Sequence, residues 1–104
     1  MRANKSQSLR RTKEFQVTQS RLRAHQIETM IAEFDQICAD LGHQIEAEEA
    51  RARINDPTHF AYPTYAKAAR ERRAKVQQSA YALKIELDGL KINANRASNQ
   101  QAAA

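Results

Sequence analysis

Glycine and proline are scarce in this chain, two of each in 104 residues, and tryptophan is absent. So few backbone breaks argue against a turn-rich β fold and leave long helices as the natural outcome. The single cysteine rules out an internal disulfide and fits a reducing compartment. No apolar run approaches the roughly 18 residues needed to cross a bilayer. The basic opening stretch, Met1 to Lys13, is not followed by the apolar block of a secretory signal, so the expected location is cytoplasmic. The three histidines, His25, His43 and His59, are far apart, and no CxxC pair or glycine-rich phosphate loop is present. No catalytic, cofactor-binding or metal-ligating residue is assigned, and the chain is expected not to be an enzyme.

The chain does have heptad periodicity, in two seams. Backwards from residue 59, one reads Ala52, Glu48, Ile45, Leu41, Cys38, Phe34, Ile31, Ile27, Ala24; forwards, the other reads Ala66, Ala69, Arg73, Val76, Ala80, Leu83, Leu87, Leu90, Ala94. Steps of three and four keep side chains on one stripe of a supercoiled helix. Taken in order, the paired numbers total alternately 118 and 117, and the expected register sets a positions of one helix against d positions of the other. The fold class predicted is all-α: a two-helix antiparallel coiled-coil hairpin with a Pro/aromatic tip and a disordered C-terminal tail. Each buried Leu, Ile or Phe contributes about 1.5–3 kcal/mol, against an ordering cost of roughly 1.5 kcal/mol per residue. With Ala, Glu and Arg at several seam positions, stability in isolation is expected to be marginal.

The predicted elements are a frayed basic N-terminus at 1–8, a first helix over 9–54, a tip turn at 55–63, a second helix over 64–96 and a polar disordered tail at 97–104. Asp56-Pro57 resembles a helix cap followed by proline, so a short helical turn is expected in the tip. Gly42, inside the first helix, reads as a tolerated glycine or as a point of close approach by a partner. Met30 and Ile37 broaden the apolar stripe. The shorter second helix is expected to leave Leu9, Phe15 and Val17 partly uncovered.

The net charge of +5 is unevenly spread. Residues 1–25 hold seven Lys/Arg and one Glu, whereas 26–56 hold eight acids and two Arg. The block Glu46, Glu48, Glu49 is expected to face Arg70, Arg72, Arg73 across the hairpin, leaving uncompensated positive charge at the open end. Arg10, Arg11, Lys13, Arg21 and Arg23 are the candidate residues there for an acidic partner. At the other end Phe60, Tyr62 and Tyr65 bring half of the six aromatics within six residues. They read either as a cap folded over the seam or as a contact knob for a partner.

The stretch Ile45-Glu46-Ala47-Glu48-Glu49-Ala50-Arg51-Ala52-Arg53-Ile54, with Asp56-Pro57-Thr58-His59-Phe60-Ala61-Tyr62-Pro63-Thr64-Tyr65-Ala66-Lys67-Ala68-Ala69 after it, resembles the hairpin tip of FliJ-type flagellar export proteins, in their alphaproteobacterial branch. Phe15-Gln16-Val17 and Gln26 to Phe34 are similar to that branch as well. The likeness covers about residues 10–90 and departs after Leu90, where a short polar tail replaces a charged helix. It implies a soluble, non-enzymatic component of the bacterial flagellar type III export apparatus, a coiled-coil rod peripheral to the inner membrane. The implied partners are the hexameric flagellar export ATPase, the cytoplasmic domain of the export gate, and export chaperones. No small-molecule substrate or nucleic acid is implied, and the membrane enters only indirectly. Two rivals follow from the residues alone: a basic coiled coil binding nucleic acid, and a structural spacer that self-associates through Met30, Ile37 and the uncovered N-terminal apolar residues.

Overall fold

The computed structural model describes residues 5–103, in which two helices, α1 (Lys5–Ala52) and α2 (Thr64–Ala103), are joined by residues 53–63. The protein is all-α, and its helices pair as an antiparallel coiled-coil hairpin. Two compact units are formed, one of Met30–Leu83 and one of Met1–Thr29 with Lys84–Ala104.

In the first unit the core is a cluster of Leu41, Ile45 and Ala69, with Ile37 packed against it. Ala66 and Ala80 are also buried, while Phe34, Cys38, Val76 and Leu83 are half-buried. Large side chains on α1 thus meet alanines on α2, which lets the helices approach closely. The seam residues are those the heptads predict, but the pairing differs. Ile45 packs with Ala69, and the Cys38 thiol lies 4.0 Å from the carbonyl of Arg73, which projects towards Val76. These contacts follow a constant total of 114, as in Glu48 with Ala66, Ile45 with Ala69, Leu41 with Arg73 and Cys38 with Val76. The alternation of 118 and 117 would in fact set a against a and d against d. A constant total alone sets a against d, the layering in which antiparallel knobs fill opposing holes. Ala52 and Ala94, the outermost seam positions, accordingly lie exposed.

Polar bonds between the helices flank this seam in the same register. Tyr65 donates to Gln44 Oε1 at 3.0 Å, a bond between two g positions, and Arg70 meets Glu49 at 3.1 Å, a bond between two e positions. Helices running in opposite directions bring like flanks together, so this pattern marks the antiparallel arrangement independently of the core. The expected acid-to-base block is realised through Glu49 and Arg70. Glu48 instead pairs with Arg51 of its own helix at 3.0 Å, and Glu46 lies 4.0 Å from His43. Arg73 runs back over α1, where a methyl placed on Gly42 would meet its Nη1 at 3.6 Å, an ordinary contact. Among the described residues, nothing therefore requires glycine at 42.

In the second unit Ile27 and Leu87 are buried, and Ala24 and Leu90 half-buried. Arg23 grips Glu86 through Nε and Nη2 at 3.0–3.2 Å, again between g positions. Leu9, Phe15, Val17, Leu22, Ile85 and Ile92 are all exposed.

The element boundaries depart from the sequence expectation in three places. Residues 5–8 are helical rather than frayed, and residues 1–4 lie outside the described residues. α1 stops at Ala52 rather than Ile54. α2 continues through Ala103, where a disordered tail was expected after Arg96; Ala104 lies outside the described residues. Beyond Gly89 the chain has no glycine or proline, and its alanines and glutamines are good helix formers, so the helix needs no buried residue to persist.

The register decides which residue Cys38 can reach. Under oxidation, Val76→Cys is expected to close an intramolecular disulfide with Cys38. Ala80→Cys, its partner in the 118/117 register, is expected to cross-link between molecules or not at all. Intact mass and non-reducing gel mobility read the outcome, and the reverse pattern would restore the alternating register.

Candidate functional site at the hairpin tip

The tip is built from three successive backbone reversals. At the end of α1, Arg53 takes a left-handed conformation with φ of 56°, and the Ile54 amide donates back to the Glu49 carbonyl at 3.2 Å. That is the Schellman closure, here with arginine where glycine is usual. The left-handed form costs a non-glycine residue about 1–2 kcal/mol, so the surrounding contacts must hold it.

Next comes Asp56-Pro57-Thr58-His59, with the His59 amide donating to the Asp56 carbonyl at 3.1 Å. Proline suits the second position of such a turn because its φ is preset. Asp56 Oδ1 accepts from the Thr58 hydroxyl at 2.7 Å and from the Thr58 amide at 2.9 Å. Those two bonds, with a smaller contribution from His59, hold its carboxyl below the usual range. A β-turn thus replaces the helical turn expected from Asp56-Pro57.

The third reversal is His59-Phe60-Ala61-Tyr62, closed by the Tyr62 amide on the His59 carbonyl at 3.0 Å. His59 Nδ1 accepts from the Ala61 amide at 3.0 Å, and the imidazole stacks on the Phe60 ring with centroids 4.7 Å apart. Phe60 sits at the apex and is 96% exposed, so its ring is held by its neighbour rather than by any core.

The three tip aromatics part company here. Tyr62 is 8% exposed and closes the end of the seam. Its hydroxyl donates to Glu49 Oε2 at 3.0 Å and accepts from Arg70 Nε at 2.7 Å, while Arg70 Nη2 reaches the same carboxylate at 3.1 Å. The guanidinium carbon stands 5.8 Å from the Tyr62 ring centroid, within cation–π range. The Tyr62 oxygen and the Glu49 carboxylate both hold Arg70 above its ordinary value. Tyr65 is half-open, its hydroxyl tied to Gln44. The cap and knob readings are therefore divided among residues: Tyr62 caps the seam and Phe60 projects.

Of the candidate basic residues, Arg10, Arg11, Lys13 and Arg21 are exposed, and Arg23 is committed to Glu86. Glu49, His59 and Arg70 take part in the tip without having been singled out for it. Glu49 and Arg70 were visible only as members of charge blocks, and no pattern in the sequence marked His59. Among the described residues, no cluster of three His, Cys, Asp or Glu side chains is placed to hold a metal ion. A shallow, open hollow of about 310 Å³ beside Glu49, Ala50, Arg53, Ile54 and Asn55 offers no enclosure for a small molecule. Among the described residues, no helix is long and apolar enough to cross a membrane.

Two measurements test this construction. Tyr62→Phe removes two hydrogen bonds and is expected to cost about 1–2 kcal/mol, lowering the melting temperature by about 5–10 °C; an unchanged thermal transition would remove the triad as a lock. The Asp56 bonds persist above the carboxyl's ordinary titration range and are lost as pH falls through its lowered folded-state value. The Thr58 amide signal is accordingly expected to titrate with a midpoint below that of an exposed aspartate, and Asp56→Asn to abolish that titration.

Comparison with protein-family models, with curated proteins and with solved structures finds no match to this chain.

Proposed function

We propose that this chain is a non-enzymatic coiled-coil component of the bacterial flagellar type III export apparatus, cytoplasmic and peripheral to the inner membrane. In this reading its partners are the hexameric export ATPase, the cytoplasmic domain of the export gate and export chaperones. The likeness of residues 45–69 to the tip of FliJ-type proteins motivates it. The observation that carries it is the tip's construction: Phe60 stands fully open on a loop whose backbone is fixed by three hydrogen-bonded reversals. An aromatic ring presented on a hydrogen-bonded backbone is the kind of group that dominates a protein interface, because less backbone entropy is lost when it docks. Paired helices suit a coupling role, since their outer faces remain available to more than one partner while the seam holds them together.

The test is binding of the purified chain to the export ATPase, with Phe60→Ala as the discriminating variant. The expected result is at least about a tenfold loss of affinity with helicity and melting temperature unchanged. Equal binding by both proteins would take the tip out of the mechanism. Failure of the unaltered chain to bind the ATPase, the gate domain or the chaperones would overturn the export reading itself.

A further inference from the structure

Positions farthest from a coiled-coil seam, the f positions, ordinarily face water and are polar. In the unit Met30–Leu83 they are Gln36, His43, Ala50, Glu71 and Gln78. In the unit formed by Met1–Thr29 and Lys84–Ala104, four of them are Phe15, Leu22, Ile85 and Ile92, each at least half exposed. These side chains point away from the seam, so a longer partner arm within the chain would not cover them. Phe15 and Leu22 also lie within a second three-four stripe on α1: Arg11, Phe15, Thr18, Leu22, His25. Thr18 satisfies its own hydroxyl by bonding back to the Glu14 carbonyl at 2.9 Å, leaving its methyl to that stripe.

Charge selects the occupant. This unit holds ten Lys/Arg against four Asp/Glu, whereas Met30–Leu83 holds seven against eight, so the whole positive surplus resides here. The outer edge of α1 from Arg11 to Gln26 has no carboxylate at any b, c or f position; of the e positions that flank it, Arg21 is basic and Glu14 acidic. A second copy would bring the same positive surplus against itself. A phosphate polymer would leave Phe15 and Leu22 unexplained, since backbone phosphates are bound by charge. On α2 the corresponding edge carries Asp88 between Ile85 and Ile92, which makes it a poorer match for an acidic partner.

We propose that the outer face of α1 centred on Phe15 and Leu22 is a docking surface for an acidic amphipathic helix of another protein. Its apolar stripe packs on Phe15, Thr18 and Leu22 while its carboxylates meet Arg11 and Arg21. The surface is separate from the tip and does not depend on the export reading.

The test uses a fluorescein-labelled four-heptad peptide with Leu at a and d and Glu at e and g, titrated with the full chain and followed by anisotropy. Its counterpart with Lys at e and g is the charge control. The Glu peptide is expected to bind and the Lys peptide not to. The double variant Phe15→Gln/Leu22→Gln should weaken binding at least about tenfold, with α-helical circular dichroism retained because both residues are solvent-facing. Arg11→Gln/Arg21→Gln should weaken it and flatten its salt dependence. The proposal is overturned if both peptides bind alike, or if the Phe15/Leu22 variant binds as the unaltered chain does. It is also overturned if sedimentation without peptide shows a dimer that this variant abolishes, which makes a second copy the occupant. Loss of duplex DNA binding in the same variant, with no peptide bound by the unaltered chain, would reassign the face to nucleic acid.

Discussion

The layer in which Ile45 of α1 meets Ala69 of α2 fixes most of what surrounds it. A branched side chain against a methyl brings the helices close, and the three-four repeat carries that register along both helices in steps of one layer. Once this layer is set, Leu41 falls beside Arg73 and Cys38 beside Val76, while Gln44 and Tyr65 meet on one flank and Glu49 and Arg70 on the other. None of those contacts would survive a shift of one layer. The buried alanines on α2 therefore do more for register than for hydrophobic free energy, since each removes little apolar surface from water but admits only a narrow range of opposing side chains.

The same layer positions the tip. With Glu49 and Arg70 brought face to face, Tyr62 closes over the last turn of the seam and spends its hydroxyl on both. A carboxylate and a guanidinium here share a third group that satisfies each, which is why a partly buried ion pair is tolerated at the end of the core. The left-handed Arg53 and the turn at Asp56 are then boundary conditions on a loop whose two ends are already held. Phe60 is exposed because the network beneath it is complete without it.

The sequence disclosed which residues line the seam but not which residues face each other. A repeat of three and four looks the same after moving by one layer, so periodicity is blind to that displacement. What resolves it is the demand that a sit opposite d, together with pairings such as Tyr65 with Gln44 that involve no conspicuous residue types. The end of α1 was illegible for a different reason. Left-handed closures are usually announced by glycine, and here the position is Arg53, indistinguishable in sequence from its helical neighbours. In the tip, aromatic clustering pointed to the right segment, yet nothing in Phe60-Ala61-Tyr62 distinguishes the ring that projects from the ring that caps. The polar character of residues 97–103 argued for disorder, but polarity does not oppose a helix whose residues have good intrinsic propensity.

The two units resolve the same heptad problem differently. Around Ile45 the chain supplies its own complement: small against large in the seam, acid against base on the flank, and no large apolar residue at the f positions. Around Ile27 and Leu87 the seam is equally regular, but four f positions, Phe15, Leu22, Ile85 and Ile92, are apolar and the charge is one-sided. Neither feature assists folding of this segment alone, because exposed Phe15 and Leu22 gain nothing from solvent and neighbouring like charges repel. Both become favourable at once against a surface that is apolar at its centre and negative at its edges. Two unfavourable features that a single external contact would relieve are better explained by that contact than as separate accidents of composition.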